Sequence, residues 1–189
     1  MEALWKGELY TVDDIYALPD GERAELLDGR IYYMAPPTAG HQRLLNFLNT
    51  EINLYIRGKG GECEVFPAPF AVFLYEDDRN YVEPDISVIC ARDKITEKGC
   101  QGAPDWVIEI VSPSSRQRDY FHKLFKYRTA GVREYWIVDP EKNRVTVYNF
   151  QHDMGEEYSF GEEISSGIYE DFRITFPDYD SIVETWAGR

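Results

Sequence analysis

Apolar and polar positions along the chain repeat with two different periods. From His41 to Arg57 the apolar residues are Leu44, Leu45, Leu48, Ile52, Tyr55 and Ile56, the i, i+3/i+4 spacing of an amphipathic helix that Gly58, Gly60 and Gly61 stop. Residues 24–35, AELLDGRIYYMA, place Asp28-Gly29 between two apolar runs, the pattern of a β-hairpin. Thr11 and Asp14 are spaced as a capping box with Asp in place of Glu, which predicts a short helix over 12–18 ended by Pro19. Strands are expected near 62–66 and 70–75. Two apolar runs follow, DISVIC at 85–90 and DWVIEIV at 105–111. A second helix is expected over 115–130, closed by Gly131, with Phe121, Leu124 and Phe125 packing it on a sheet. EYWIV (134–138) and RVTVYNF (144–150) read as strands around a DPEKN turn, and 151–189 as further short strands and turns.

The order helix, hairpin, helix, strands, helix, strands predicts an α/β (α+β) fold with one central mixed β-sheet flanked by helices. Several consecutive strands, and the lack of a GxGxxG or Walker A motif, argue against a doubly wound nucleotide-binding fold. A length of 189 residues fits a single domain over 1–189 whose core needs no disulfide or structural metal. Cys63, Cys90 and Cys100 are few, odd in number and lack CxxC spacing, so reduced thiols in a cytoplasmic protein are expected. The opening residues, MEALWKGELY, show no apolar run of signal-peptide length, and no stretch approaches the ~18 apolar residues of a membrane span.

Charge complicates the picture. The net charge of −14 argues against a protein that coats nucleic acid or anionic membrane through bulk charge. The excess is unevenly spread. Between Arg116 and Arg133 stand six basic residues (Arg116, Arg118, Lys123, Lys126, Arg128, Arg133) and one acid, Asp119, a local balance of +5 that leaves −19 on the rest.

Two carboxylates stand where apolar residues are expected. In the 105–111 strand, Ile108 and Ile110 share one face, and Val107, Glu109 and Val111 share the other. A strand apolar on both faces is central, and an ionised Glu109 there needs a cationic partner. Asp85 opens the preceding core strand. Antiparallel pairing of the two strands would bring Asp85 and Glu109 together, and a divalent cation relieves their repulsion. In the following helix Asp119, Lys123 and either Lys126 or Tyr127 share a face at i, i+4 and i+7 or i+8. Glu109 lies roughly 7 Å from its strand end and Lys123 roughly 12 Å into the helix, so a side chain leaning toward the helix N-terminus reaches back to Glu109. A basic helix beside an acidic, metal-binding cleft fits a phosphodiester substrate.

The stretches ELLDGRIY (25–32), GHQRLLNFLNTEI (40–52), EPDISVI (83–89), PDWVIEIVSPSS (104–115), RDYFHKLFKYRTAGVREYWIVDP (118–140) and RVTVYNF (144–150) together resemble the PD-(D/E)XK nuclease superfamily. The nearest likeness is to the Uma-two family of restriction-endonuclease-like proteins, over about residues 10–150. The resemblance implies a metal-dependent endonuclease with Asp85, Glu109 and Lys123 as its catalytic residues. Val111 stands where the superfamily usually has its lysine, and the resemblance puts that lysine on the following helix, at Lys123. Glu25 is implied as an added acid, and Tyr127 and His41 occupy positions typical of this branch. The implied cofactor is Mg²⁺ or Mn²⁺, held by Asp85, Glu109 and the Ile110 carbonyl, with Asp119 supporting Lys123. DNA is the implied partner, and a homodimer would be the simplest way to cut both strands of a duplex. The alternative is a non-catalytic nuclease-like module that binds nucleic acid or protein.

Overall fold

The apolar runs at 85–90 and 105–111 become neighbouring strands at the centre of one sheet. A computed structural model describes residues 9–179 and Ser181. The expected absence of a leader at residues 1–8, and the end of the 151–189 strand region, lie outside the described residues.

The chain begins with α1 (Val12–Tyr16), the hairpin β1 (Ala24–Leu27) and β2 (Arg30–Tyr33), and the long α2 (Ala39–Gly58). Four strands follow: β3 (Glu64–Pro67), β4 (Val72–Phe73), β5 (Ile86–Ile89) and β6 (Ile95–Thr96). Then come β7 (Gly99–Gln101), β8 (Trp106–Ile110), a π-helical segment (Arg118–Lys123) and α3 (Leu124–Ala130). The remainder is β9 (Glu134–Asp139), β10 (Arg144–Asn149), β11 (Met154–Ser159), β12 (Glu163–Ser165) and β13 (Arg173–Thr175). Local sequence explains the early elements. Thr11 N–H donates to the Asp14 carboxylate at 2.8 Å and closes the capping box. Asp28 and Gly29 both take positive φ, 51° and 72°, the conformation of the two-residue turn that matches strand twist.

Six strands form a mixed sheet in the order β11-β10-β9-β8-β5-β3. β5 and β8 pair antiparallel, with Ile86 opposite Ile108, and β8 and β9 pair parallel through the crossover that contains α3. One face of the sheet carries Ile108, Ile110, Trp136 and Val138 against Leu44, Leu48 and Ile52 of α2 and Phe172 and Phe176 of the later chain. The opposite face carries Val107, Val111 and Ile137 against Tyr127, Leu124 and the small β4-β7-β6 sheet. The alternation expected of β8 is therefore observed, and it turns Glu109 toward the α3 side. Among the described residues no helix is long and apolar enough to cross a membrane.

Three expectations change. Cys63 and Cys90 form a disulfide rather than remaining reduced, while Cys100 is a buried free thiol. The β3–β5 register sets Glu64 opposite Ile89, so the flanking cysteines face each other across the strands. Residues 118–123 are π-helical, not α-helical. Finally, Phe121 and Phe125 are 68% and 65% exposed rather than packed on the sheet. The buried stripe belongs to Asp119, Lys123 and Tyr127, and each phenylalanine lies two positions, about 200°, further round the helix.

Candidate active site

The site begins with strand register. Asp85 lies one position before the first β5 rung, so the antiparallel pairing carries it to the end of β8. Its Oδ2 accepts the Ile110 backbone N–H at 2.7 Å. His41, in the first turn of α2, places Nε2 3.2 Å from the same carboxylate. Thr38 caps α2 by accepting the His41 N–H and so sets the entry angle of that residue.

Glu109 comes up from the central strand. Its Oε1 accepts from Lys123 Nζ at 2.7 Å and from the Tyr127 hydroxyl at 2.6 Å. Lys123 Nζ also donates to Glu25 Oε1 at 2.7 Å, and Asp119 stands 3.9 Å away at i−4. All seven side chains marked in the sequence thus meet at one end of β8: Glu25, His41, Asp85, Glu109, Asp119, Lys123 and Tyr127. Most of them, with Ile110, line a cleft of about 590 Å³.

Two further residues complete the cluster. Arg118 Nε lies 3.4 Å from Glu25 Oε2, and the Glu83 backbone N–H donates to Glu25 Oε1 at 3.1 Å. In an α-helix Arg118 and Lys123, five positions apart, diverge by about 140°. In a π-helix, whose hydrogen bonds run i→i+5, they lie about one turn apart and can serve the same carboxylate. Tyr135, on the strand beneath, donates its hydroxyl to the Asp119 carbonyl at 3.0 Å within this widened turn. No α-helical pattern reveals Arg118. Glu83 was visible only as the residue before Pro84-Asp85.

The expected basic face is not free. Arg116 pairs with Asp139 and Glu141, Arg118 with Glu25, and Lys123 with Glu25 and Glu109. Lys126 pairs with Asp28, Arg128 with Asp153 and Arg133 with Asp105. The +5 of the segment is neutralised by acids that are distant in sequence and close in space.

Four carboxylates against one ammonium and one guanidinium leave the site over-supplied with negative charge. Burial alone raises Glu25, but Lys123, Arg118 and their hydrogen bonds outweigh it and hold Glu25 below its ordinary range. For Glu109, burial is again the largest effect. One shared lysine does not offset it against Asp119, Glu25 and Asp85, and Glu109 is pushed up to about 8. Burial likewise pushes Asp119 to about 6. Burial lowers His41, yet its hydrogen bond and attraction to Asp85 leave it raised.

A proton kept on Glu109 has a measurable consequence. The unfolded carboxyl ionises near its ordinary value of 4.5, whereas the folded one holds its proton to about 8. The folded state therefore binds more protons between those limits, and stability falls as pH rises through that window. Glu109→Gln keeps the acceptor oxygen and removes the ionisation. Relative to wild type it is expected to gain on the order of a few kcal/mol between pH 5 and pH 8.5 in urea unfolding without metal. A constant difference across that range would show Glu109 already ionised.

The donor set is all oxygen, which suits hard divalent cations rather than zinc. Among the described residues no three His, Cys, Asp or Glu side chains gather closely enough to hold an ion by themselves. Mg²⁺ asks for less, since it commonly uses one or two carboxylates and completes its shell with water and phosphate oxygens. Asp85 and Glu109 match that smaller need. Asp119 Oδ1 and Glu25 Oε2, both buried without a hydrogen-bond partner, mark the excess of negative charge beside them.

The comparisons with known proteins bear on most of the chain. The model of the Uma2 family, described as "Putative restriction endonuclease", matches residues 12–176. An uncharacterised protein of Synechocystis is 27% identical over 135 residues, 70% of this chain and 68% of that protein. A crystal structure described as a putative nuclease from Anabaena variabilis has a TM-score of 0.73 at 23% identity. That match covers 92% of this chain and 98% of the other, and it shows a shared fold.

Proposed function

Because this chain belongs to the Uma2 family of putative restriction endonucleases, we propose that the cleft is the active site of a Mg²⁺- or Mn²⁺-dependent endonuclease acting on nucleic acid, with DNA as the expected substrate. The observation that carries this reading is Glu109, a carboxylate on the central strand at the cleft floor, facing Asp85 across the strand pair.

Asp85, Glu109 and the Ile110 carbonyl would hold the cation. When bound, it would lower the pKa of a water and offset charge on the scissile phosphate. The side chains do the rest. The Ile110 N–H and His41 fix the Asp85 carboxylate from two sides. Lys123 and Tyr127 fix Glu109. Lys123 has already committed donors to two carboxylates, so its main part is to orient Glu109 and supply positive charge beneath the reacting phosphate. Glu25 and Asp119 keep that ammonium charged, and Arg118 shares the load on Glu25.

The test combines binding with turnover. Millimolar Mg²⁺ or Mn²⁺ is expected to raise the melting temperature by mass action and to support cleavage of DNA oligonucleotides. A Glu109→Ala protein is expected to lose both responses. An unchanged melting temperature in wild type, with no cleavage, would favour a non-catalytic binding module.

A further inference from the structure

The charged groups of the site lie at the bottom of the cleft. Side-chain exposure is 0% for Glu25, 3% for Lys123, 6% for Glu109 and 16% for Asp85. To approach Asp85 a scissile phosphate must reach down into this cleft of about 590 Å³, which a flexible unpaired strand does more readily than a strand held in a duplex.

Among the described residues, the basic groups of the neighbouring helix and Arg23 at the cleft edge are already engaged. The six basic residues of the 116–133 segment are each paired to an acid, and Arg23 at the cleft edge is paired to Glu83. Unspecific duplex binding rests on cations that release phosphate counterions, and this surface offers few of them.

The walls are suited to a base instead. Tyr33, Met34, Pro36 and Pro37 line one part of the cleft and Tyr179 another. Tyr179 comes from the 151–189 stretch, beyond the roughly 10–150 span of the family resemblance. It packs on the start of α2 at Gly40, where a Cβ would lie 2.1 Å from the Tyr179 hydroxyl. Only glycine lets the tyrosine sit there, one residue from His41. Aromatic faces beside a phosphate site are the means by which single strands are held without duplex contacts.

Building on the nuclease reading above, we propose that the cleft takes an unpaired strand, seating one nucleotide with its base against Tyr179 and its phosphate toward Asp85. The substrate class is single-stranded or locally opened nucleic acid, in preference to intact duplex.

Fluorescence anisotropy with a labelled DNA 12-mer, alone and as a blunt duplex, tests this in Ca²⁺ without turnover. The single strand is expected to bind at least about tenfold more tightly. Tyr179→Ala is expected to weaken single-strand binding roughly 5- to 150-fold, the range for losing one stacked base, while Tyr179→Phe retains it. If Tyr179→Ala does not fold by circular dichroism, Tyr33→Ala takes its place with the same expected loss. Equal or tighter duplex binding, no binding of either oligomer, or unchanged affinity in the alanine variant would overturn the proposal. Parallel cleavage assays in Mg²⁺ separate the two readings. Single-strand binding without cleavage of any substrate defeats the nuclease reading alone. Blunt duplex cut as fast as single strand defeats this inference alone.

Discussion

Lys123→Met is expected to cost about 3–5 kcal/mol of folding stability, the range for removing one partner of a buried ion pair. The side chain is almost fully buried and donates to both Glu25 and Glu109, with Asp119 at 3.9 Å. Methionine keeps most of the apolar stem and deletes the charge. Three buried carboxylates would then share Arg118 alone. For a domain of this size the melting temperature should drop on the order of 6–20 °C. The loss should depend on pH. In wild type, Lys123 and Arg118 hold Glu25 below its ordinary value, so their contribution is present above the carboxylate range and lost as pH falls. Without Lys123 the acids regain proton affinity, and the variant is penalised most at pH 8 and least near pH 4. Urea unfolding at both values checks this. An equal penalty at each would point to packing rather than charge. Glu25→Gln added to Lys123→Met should recover part of the loss, since neighbours in one network do not act additively.

Asp85→Ala should behave in the opposite manner, with a small effect on the fold and a large one on turnover. Its carboxylate accepts the Ile110 N–H and meets His41, so the structural cost is on the order of 1–2 kcal/mol for the unpaired groups. A bound cation supplies several kcal/mol of transition-state stabilisation, and losing it corresponds to about 10³-fold or more in rate. The two readouts are the cleavage rate and the rise in melting temperature with Mg²⁺. Both are expected to vanish in a protein that remains folded. A variant that cuts at the wild-type rate would remove Asp85 from the metal site.

The contrast between these two substitutions follows from position. Asp85 sits at the cleft surface end of the strand pair, whereas Lys123 lies behind Glu109 and holds the floor together. Much of this was legible in the chain. The Asp28-Gly29 turn and the spacing of apolar residues in α2 follow from local rules, while the antiparallel pairing of β5 with β8 was one arrangement open to two apolar runs and is the one the structure adopts. That pairing brings Asp85 to Glu109, and simple rise-per-residue arithmetic brings Lys123 to Glu109. The features that were not legible depend on contacts between distant segments. The π-turn that adds Arg118 to Glu25 is built against Tyr135 of β9. The apparent basic helix is neutralised by Asp28, Asp105, Asp139 and Asp153, none of which the helix sequence announces. Cys63 and Cys90 meet only because β3 and β5 adopt one register. Tyr179 reaches the cleft because Gly40, at the start of α2, leaves room for it.

The same reasoning revises what the net charge of −14 means. A strongly acidic protein whose helix cations are all paired has little to offer bare DNA. On the proposed reading, its route to a phosphodiester would run through a cation held at the cleft floor. Burial and the neighbouring acids raise the proton affinity of Glu109, a repulsion that a metal held there would relieve. On the proposed reading stability and function oppose each other at this residue, because the carboxylate that costs the metal-free fold is the one that would hold the metal.

Crystals soaked in Mn²⁺ and measured at an energy where manganese scatters anomalously test this claim most directly. A single strong peak within bonding distance of the Asp85 and Glu109 carboxylates is expected. No peak in the cleft at millimolar Mn²⁺, with Glu109 still bound only to Lys123 and Tyr127, would contradict it.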